Sequence, residues 1–132
     1  MWGNTRLSLR HAVIEDVLTR SMTEGIAEAI ERHLAAWPGV TVEERAAGFV
    51  EFKVGRRELG HLHGNRLADL PFPVRIREQL VAAGKASVHY VHPETGWVSF
   101  YIQGEQDLEA VIELFRLNYA RPWLREGTSP LA

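Results

Sequence analysis

Residues Phe49 to His63 constrain the fold more than any other stretch, because their pattern fits an antiparallel hairpin and little else. From Phe49 to Val54 the chain alternates: Val50, Phe52 and Val54 fall on one side, Phe49, Glu51 and Lys53 on the other. A period of two belongs to a half-buried strand. Gly55-Arg56 follows, and glycine in the first of two loop positions suits a type II′ turn. The return strand is Arg57 to His63. With this loop, Val54 faces Arg57, Lys53 faces Glu58, Phe52 faces Leu59 and Val50 faces His61. That register sets an ion pair on one face and an apolar pair on the other.

Around the hairpin the periodicity predicts further elements. Val13, Ile14, Val17 and Leu18 suggest a first helix, and Ile26, Ile30, Leu34 and Trp37 a second. Ser21 with Glu24 has capping-box spacing between them, and Pro38-Gly39 ends the second helix. A strand is expected over 40–45, before the hairpin. Residues 64–72 read as a loop, and Pro73 as the first residue of a helix that buries Ile76, Leu80 and Val81 and stops at Gly84. Strands over 86–92 and 97–103 flank a Pro93-Glu94-Thr95-Gly96 turn. A last helix runs over about 107–121 on the stripe Leu108, Val111, Ile112, Phe115, Tyr119, with Asp107 as its N-cap. The expected fold is α+β: a two-layer α/β sandwich on a five-stranded antiparallel sheet, in the order α-(α)-β-β-β-α-β-β-α. One domain should span 1–132, with a core of about 22–121, a helical extension over about 8–20 and a flexible tail over 122–132.

Composition narrows the chemistry. The chain has 132 residues, 45% of them hydrophobic, enough to fold without staples. With no cysteine, thiolate metal sites, iron–sulfur clusters and a cysteine nucleophile are excluded. Fifteen basic residues against seventeen acidic ones give a net charge of −2 and no basic stripe, which argues against nucleic acid as partner. No apolar run approaches the ~18 residues of a membrane helix, and residues 1–10 lack the apolar stretch of a signal peptide. A soluble cytoplasmic protein with no membrane association is expected. Gly84-Lys85 is not a phosphate loop, since Gln79 stands where glycine is required, and neither a Gly-x-Ser-x-Gly elbow nor His-Glu-x-x-His occurs.

Six histidines remain. His11 and His33 fall in helical segments apart from the others. His61 and His63, two apart on one strand, put two imidazoles on the same face. A third from a neighbouring strand, His89 or His92, would complete a set that holds a divalent metal with a position left for water, or that acts by acid–base chemistry. The register places both imidazoles on the core-side face. His92, in parity with Val88 and Tyr90, is then the inward candidate and His89 points out; a bulge would reverse that choice. The alternative is a hydrogen-bonded histidine pair that closes the edge of the core. Arg66 and Asp69, in the loop that follows, are candidate pocket residues beside them.

The same register leaves Phe49, Glu51, Lys53, Glu58 and Leu62 outward, and Trp97, Ser99, Tyr101 and Gln103 outward on the last strand. Aromatics mixed with polar groups on an open sheet suit an interface, with Phe49, Leu62, Trp97 and Tyr101 as its candidates and a second copy or a protein or peptide as partner.

Several blocks carry a resemblance. Gly60-His61-Leu62-His63, Asp69-Leu70-Pro71-Phe72-Pro73, Gly84, His89, Gly96-Trp97-Val98 and Tyr119-Ala120-Arg121 resemble the bacterial and fungal family labelled "luciferase domain", over about residues 37–123. Thr95 stands where that family has serine. The resemblance implies no catalytic residues. Nor does it imply the (β/α)₈ barrel of flavin-dependent luciferases, which needs at least ~200 residues. The element order after the first helix is similar to that of type III secretion chaperones and MmcQ/YjbR-like small bacterial proteins. Two functions follow as expectations: a partner-binding or homodimerising module that uses the outward sheet face, or a metal-binding enzyme or sensor built on His61 and His63.

Overall fold

The computed structural model describes residues 25–121. The helix expected over 8–20, the Ser21 cap, His11 and the 122–132 tail lie outside the described residues. Helix α1 (Ile26–Ala35) leads into strands β1 (Val40–Ala46), β2 (Phe49–Val54), β3 (Arg57–His63) and β4 (Leu67–Pro71). Helix α2 (Val74–Ala82), β5 (Ser87–Val88), β6 (Trp97–Tyr101) and helix α3 (Leu108–Ala120) complete the order, with a single 3₁₀ turn at Glu105–Asp107. The strands form one antiparallel sheet in the order β1-β2-β3-β4-β6-β5. The class is mixed α+β, and the sheet is open.

The sheet has six strands where five were expected. The additional one is β4, inside the segment read as a loop. It sits in the middle of the sheet, between β3 and β6. A strand hydrogen-bonded on both edges and covered on both faces has no polar alternation to reveal it. Ala68, Asp69 and Leu70 are all fully buried, and Asp69 and Pro71 are residue types that otherwise mark turns.

The apolar residues of one sheet face (Val50, Phe52, Leu62, Ala68, Leu70 and Val98) join Ile30 and Leu34 of α1, Ile76 and Leu80 of α2 and Val111, Ile112 and Phe115 of α3 in one core. At the start of α1 the N-cap is Gly25, which has no side chain to cap with, and Glu28 accepts from its N–H at 3.1 Å. Asn65, after β3, reaches across to accept from the Ala27 N–H at 2.9 Å, tying the helix to the end of the hairpin. Asp107 does lie at the N-cap position of α3, but its carboxylate turns back to accept from the Gln103 N–H at 2.7 Å.

The hairpin begins as expected and then departs. Val54 pairs with Arg57 and Lys53 with Glu58, but Phe52 pairs with Gly60, Glu51 with His61, Val50 with Leu62 and Phe49 with His63. Leu59 is the extra residue of a β-bulge. Two contacts hold it. Its side chain is fully buried in the core, and its carbonyl accepts from Asn118 Nδ2 at 2.9 Å. Gly60 then adopts φ +148°, and a Cβ there would lie 2.7 Å from the Asp69 carbonyl oxygen and 2.8 Å from the Phe115 ring. Only glycine lets β4 and α3 approach this closely. Past the bulge every side chain changes face. His61 and His63 therefore leave the core side and join Phe49 and Glu51 on the outer face, while Leu62, expected outward, is fully buried.

The strand expected over 86–92 is only Ser87–Val88. His89 ends it, because its Nδ1 accepts from the backbone N–H groups of Val91 (3.1 Å) and His92 (3.2 Å) and turns the chain. The inward placement of His92 fails with that strand, and His92 is exposed. The turn that follows is closed by Arg77, which donates to the carbonyls of Pro93 (2.7 Å) and Thr95 (2.8 Å). Thr95 Oγ1 donates to the His92 carbonyl at 2.8 Å and accepts from the Trp97 N–H at 3.2 Å. Serine offers the same hydroxyl, so threonine preserves the turn.

Candidate functional site

The bulge and the buried strand together put a row of polar residues across the outer face. Glu51 pairs with His61, His61 with Asp69, Asp69 with Ser99, and Ser99 with Ser87. One step along, Phe49 pairs with His63, His63 with Leu67, and Leu67 with Tyr101. Asp69 stands at the centre of this grid. It is fully buried, and a carboxylate in that position needs partners.

Its partners divide by oxygen. Oδ1 accepts from Ser99 Oγ at 2.7 Å. Oδ2 faces three imidazoles: His63 Nε2 at 3.1 Å, His61 Nε2 at 3.4 Å and His89 Nε2 at 3.6 Å. On its far side His61 presents Nδ1 to Glu58 Oε2 at 3.0 Å. Residues three apart on a regular strand point to opposite faces, so Glu58 reaches His61 only because the bulge lies between them. Glu51, beside His61 in the row, is instead engaged by Arg45 at 2.8 Å.

Aromatic rings wall this cluster. Phe49 packs edge-on to His61 (4.7 Å between centroids) and stacks on His63 (5.2 Å), and Trp97 lies 5.3 Å from His61 and 6.1 Å from His89. Tyr90 stacks on His89 at 4.4 Å. Phe49 and Trp97, expected as interface residues, are thus half-buried against the histidines, while Tyr101 remains 47% exposed.

Charge follows from these contacts. Burial works to lower the pKa of His61, but pairing with Asp69 and the hydrogen bond to Glu58 outweigh it and raise the ring to about 9. Burial likewise works to raise Asp69, but hydrogen bonds with His61 and Ser99, and the charges of His61 and His89, bring it below the ordinary aspartate value. Without another cation between them, His61 is an imidazolium that bridges two carboxylates.

The same atoms suit a metal ion. His61, His63 and Asp69 each offer one ligand atom, all within 4.8 Å of one another. With metal–ligand bonds of ~2.0–2.1 Å, donors stand about 2.9 Å apart at right angles and about 3.4 Å apart in a tetrahedron. The two nitrogen–oxygen separations, 3.1 and 3.4 Å, fall in that interval. The outer contacts are those of a held ligand set: Glu58 fixes His61 through Nδ1, and Ser99 occupies Oδ1 so that Asp69 offers Oδ2. His89 does not belong to the set. Its Nδ1 accepts two backbone N–H groups, so Nε2 is the ring nitrogen that carries a proton, and it presents a donor to the site, not a lone pair.

The side of the cluster nearest His63 opens on a groove of about 680 Å³ lined by His63, Arg66, Leu67, Tyr90, Tyr101, Ile102 and Gln103. Of the residues singled out from the sequence, the structure brings His61, His63, His89 and Asp69 to one point, and puts Arg66 and Tyr101 in the groove. It leaves His92 outside the cluster and Leu62 in the core. The sequence reading did not pick out Glu58, Ser99 or Asn118 as site residues. Only the short gap between Glu58 and His-x-His signalled any of them.

The segment that builds this arrangement is continuous, from the hairpin turn through the bulge, Asp69 and Ser99 to Asn118 on α3. Residues 56–118 match the Luciferase domain family. The Luciferase-domain stretch is narrower than the 37–123 of the resemblance, and it takes in Glu58, His61, His63, Arg66, Asp69, His89 and Ser99, while Phe49 on β2 precedes it. No match was found among curated proteins, and none among solved structures. The sheet that carries the Luciferase-domain match is open and antiparallel, so the match brings no (β/α)₈ barrel with it. Among the described residues no helix is long and apolar enough to cross a membrane.

Proposed function

We propose that His61, His63 and Asp69 hold one divalent transition metal, and that the protein acts on or senses a small molecule at the metal's remaining coordination positions. Two histidines and one carboxylate on one side of a metal leave positions open, as sites that activate water or bind substrate require. The observation that carries this reading is the convergence of two imidazole nitrogens on Asp69 Oδ2 at 3.1 and 3.4 Å, with the remote atoms of His61 and Asp69 already held by Glu58 and Ser99. His89 supplies a hydrogen-bond donor beside the open positions.

The test is metal content. Tag-free protein dialysed against zinc, cobalt or iron(II) salts should retain about one ion per chain by elemental analysis. His61→Ala, His63→Ala and Asp69→Asn should each lose it while the circular dichroism spectrum stays that of the parent. Folded parent protein that retains no metal would sink the reading.

A second reading has its own observation. Val88, Tyr90, Val91 and Tyr101 are 41–56% exposed at the β5 edge of the sheet, and exposed apolar groups beside a short edge strand suit a second copy or a protein or peptide partner. Light scattering of the parent and of Val91→Asp tests it. A monomer in both cases removes the dimer.

A further inference from the structure

The groove beside His63 carries information about what the metal would meet. Its volume of about 680 Å³ lies within the range of small-molecule sites. Two tyrosine rings, Tyr90 and Tyr101, and the side chains of Leu67 and Ile102 give it apolar walls, and no carboxylate lines it. At its rim stands Arg66. Arg45 is paired with Glu51, Arg57 with Asn118, Arg77 with the Pro93 and Thr95 carbonyls, and Arg116 with Glu113. Arg56, Arg66 and Arg75 are exposed, with no acidic side chain paired to them among the described residues, and of the three only Arg66 lines the groove. Its backbone is fixed on both sides: its N–H donates to the His63 carbonyl (3.4 Å) and its carbonyl accepts from the Ile102 N–H (2.8 Å). The guanidinium therefore springs from a rigid point between a metal-ligand candidate and the groove wall.

We infer that this groove receives a small organic acid with a planar, apolar body, its carboxylate on Arg66 and its other end toward His63. A guanidinium matches a carboxylate with two parallel hydrogen bonds. Tyrosine faces accept a flat ring in offset or edge-on packing. Arg66 is the one guanidinium among the side chains that line the groove, and one planar fork takes one carboxylate. Glutamine at 103 adds an uncharged partner for a polar substituent on the body. The assignment deepens the metal-site reading and rests on it for the role of the far end, but groove and metal can be read separately.

The experiment uses the full chain, zinc-loaded and zinc-free, with benzoate as probe and benzamide and acetate as controls. Binding is followed by amide chemical shifts of Leu67, Tyr101 and Ile102, and zinc by elemental analysis. Benzoate should shift these amides, with benzamide and acetate each at least tenfold weaker. Arg66→Gln should weaken benzoate at least tenfold and keep its zinc. Equal binding of benzamide, or of benzoate to Arg66→Gln, overturns the assignment. Benzoate binding to a chain that takes no zinc overturns the metal reading alone, and zinc uptake without benzoate binding overturns the groove alone.

Discussion

Asn118, buried on the last helix, donates from Nδ2 to the carbonyl of Leu59 at 2.9 Å, and Leu59 is the residue the hairpin leaves unpaired. Its Oδ1 accepts from Arg57 Nη1 (3.1 Å) and from Arg121 Nε (2.9 Å). One amide thus meets the need that a bulge creates, and the bulge decides which way His61 and His63 point. A residue remote from the cluster holds its orientation.

Asn118→Ala should therefore do two things. It leaves a buried carbonyl without a donor and two guanidinium groups short of an acceptor, a loss of about 2–3 kcal/mol in urea unfolding. It also frees the hairpin to slip toward the regular register, which returns the histidines to the core side. Metal uptake should fall further than the stability loss alone explains. Uptake at parent affinity in the folded variant would show that the bulge holds without the amide.

Glycines 60, 96 and 55 make a graded series. A Cβ on Gly96 would lie 1.6 Å from the Phe72 carbonyl oxygen, and one on Gly60 2.7 Å from that of Asp69, whereas Gly55, at φ +62°, has nothing within 4 Å. Gly55→Ala should cost about 1–2 kcal/mol, from backbone conformation alone. Gly60→Ala adds a backbone clash and should cost on the order of 3 kcal/mol or more. Gly96→Ala should fail to yield folded protein, because the Phe72–Gly96 backbone hydrogen bond (3.1 Å) cannot survive the displacement. Thermal melts of the three rank them, and any other order would contradict the packing described.

The hairpin shows how far the sequence could be read. The Gly55-Arg56 loop and the Val54–Arg57 and Lys53–Glu58 pairs followed from alternation and turn chemistry, both local. The slip at Leu59 did not, because its cause is Asn118, 59 residues away in sequence. From that one step came the wrong face for His61, His63 and Leu62, and with it the choice of His92 over His89. Strand β4 is hidden in the sequence for a related reason: burial on both faces erases the polar alternation that would mark Leu67–Pro71. The chemistry-bearing residue types were visible; their geometry depended on contacts between distant segments.

Acid and alkali should each weaken the metal-free protein, through different groups. His61 is raised in the fold from 6.5 to about 9, so its contribution to stability is full below about pH 6.5 and fades as pH rises through 9. Asp69 is lowered, so its contribution is present above the ordinary aspartate value and fades as pH falls below it. The His61 shift corresponds to roughly 3 kcal/mol as an upper figure. In chelator, the stability difference between the parent and His61→Gln should shrink from pH 6 to pH 9.5. A difference that holds constant or grows with pH would contradict an imidazolium at this position.

Glu58→Gln tests the outer contact of the cluster most cleanly, since glutamine keeps the shape and can still accept from His61 Nδ1. What it removes is the charge 3.0 Å from the ring. In the metal-free protein the His61 pKa should move down from about 9 toward the value set by Asp69 and burial alone. In the metal-bound protein a less basic imidazole is a weaker ligand, and loss of an outer carboxylate partner typically lowers affinity about 10- to 100-fold. Zinc competition against a chromophoric chelator and a histidine-resolved NMR titration measure the two effects on one variant. If the pKa falls while zinc affinity is unchanged, His61 is a structural imidazolium and not a ligand. If both move together, Glu58 acts on the metal through His61 Nδ1.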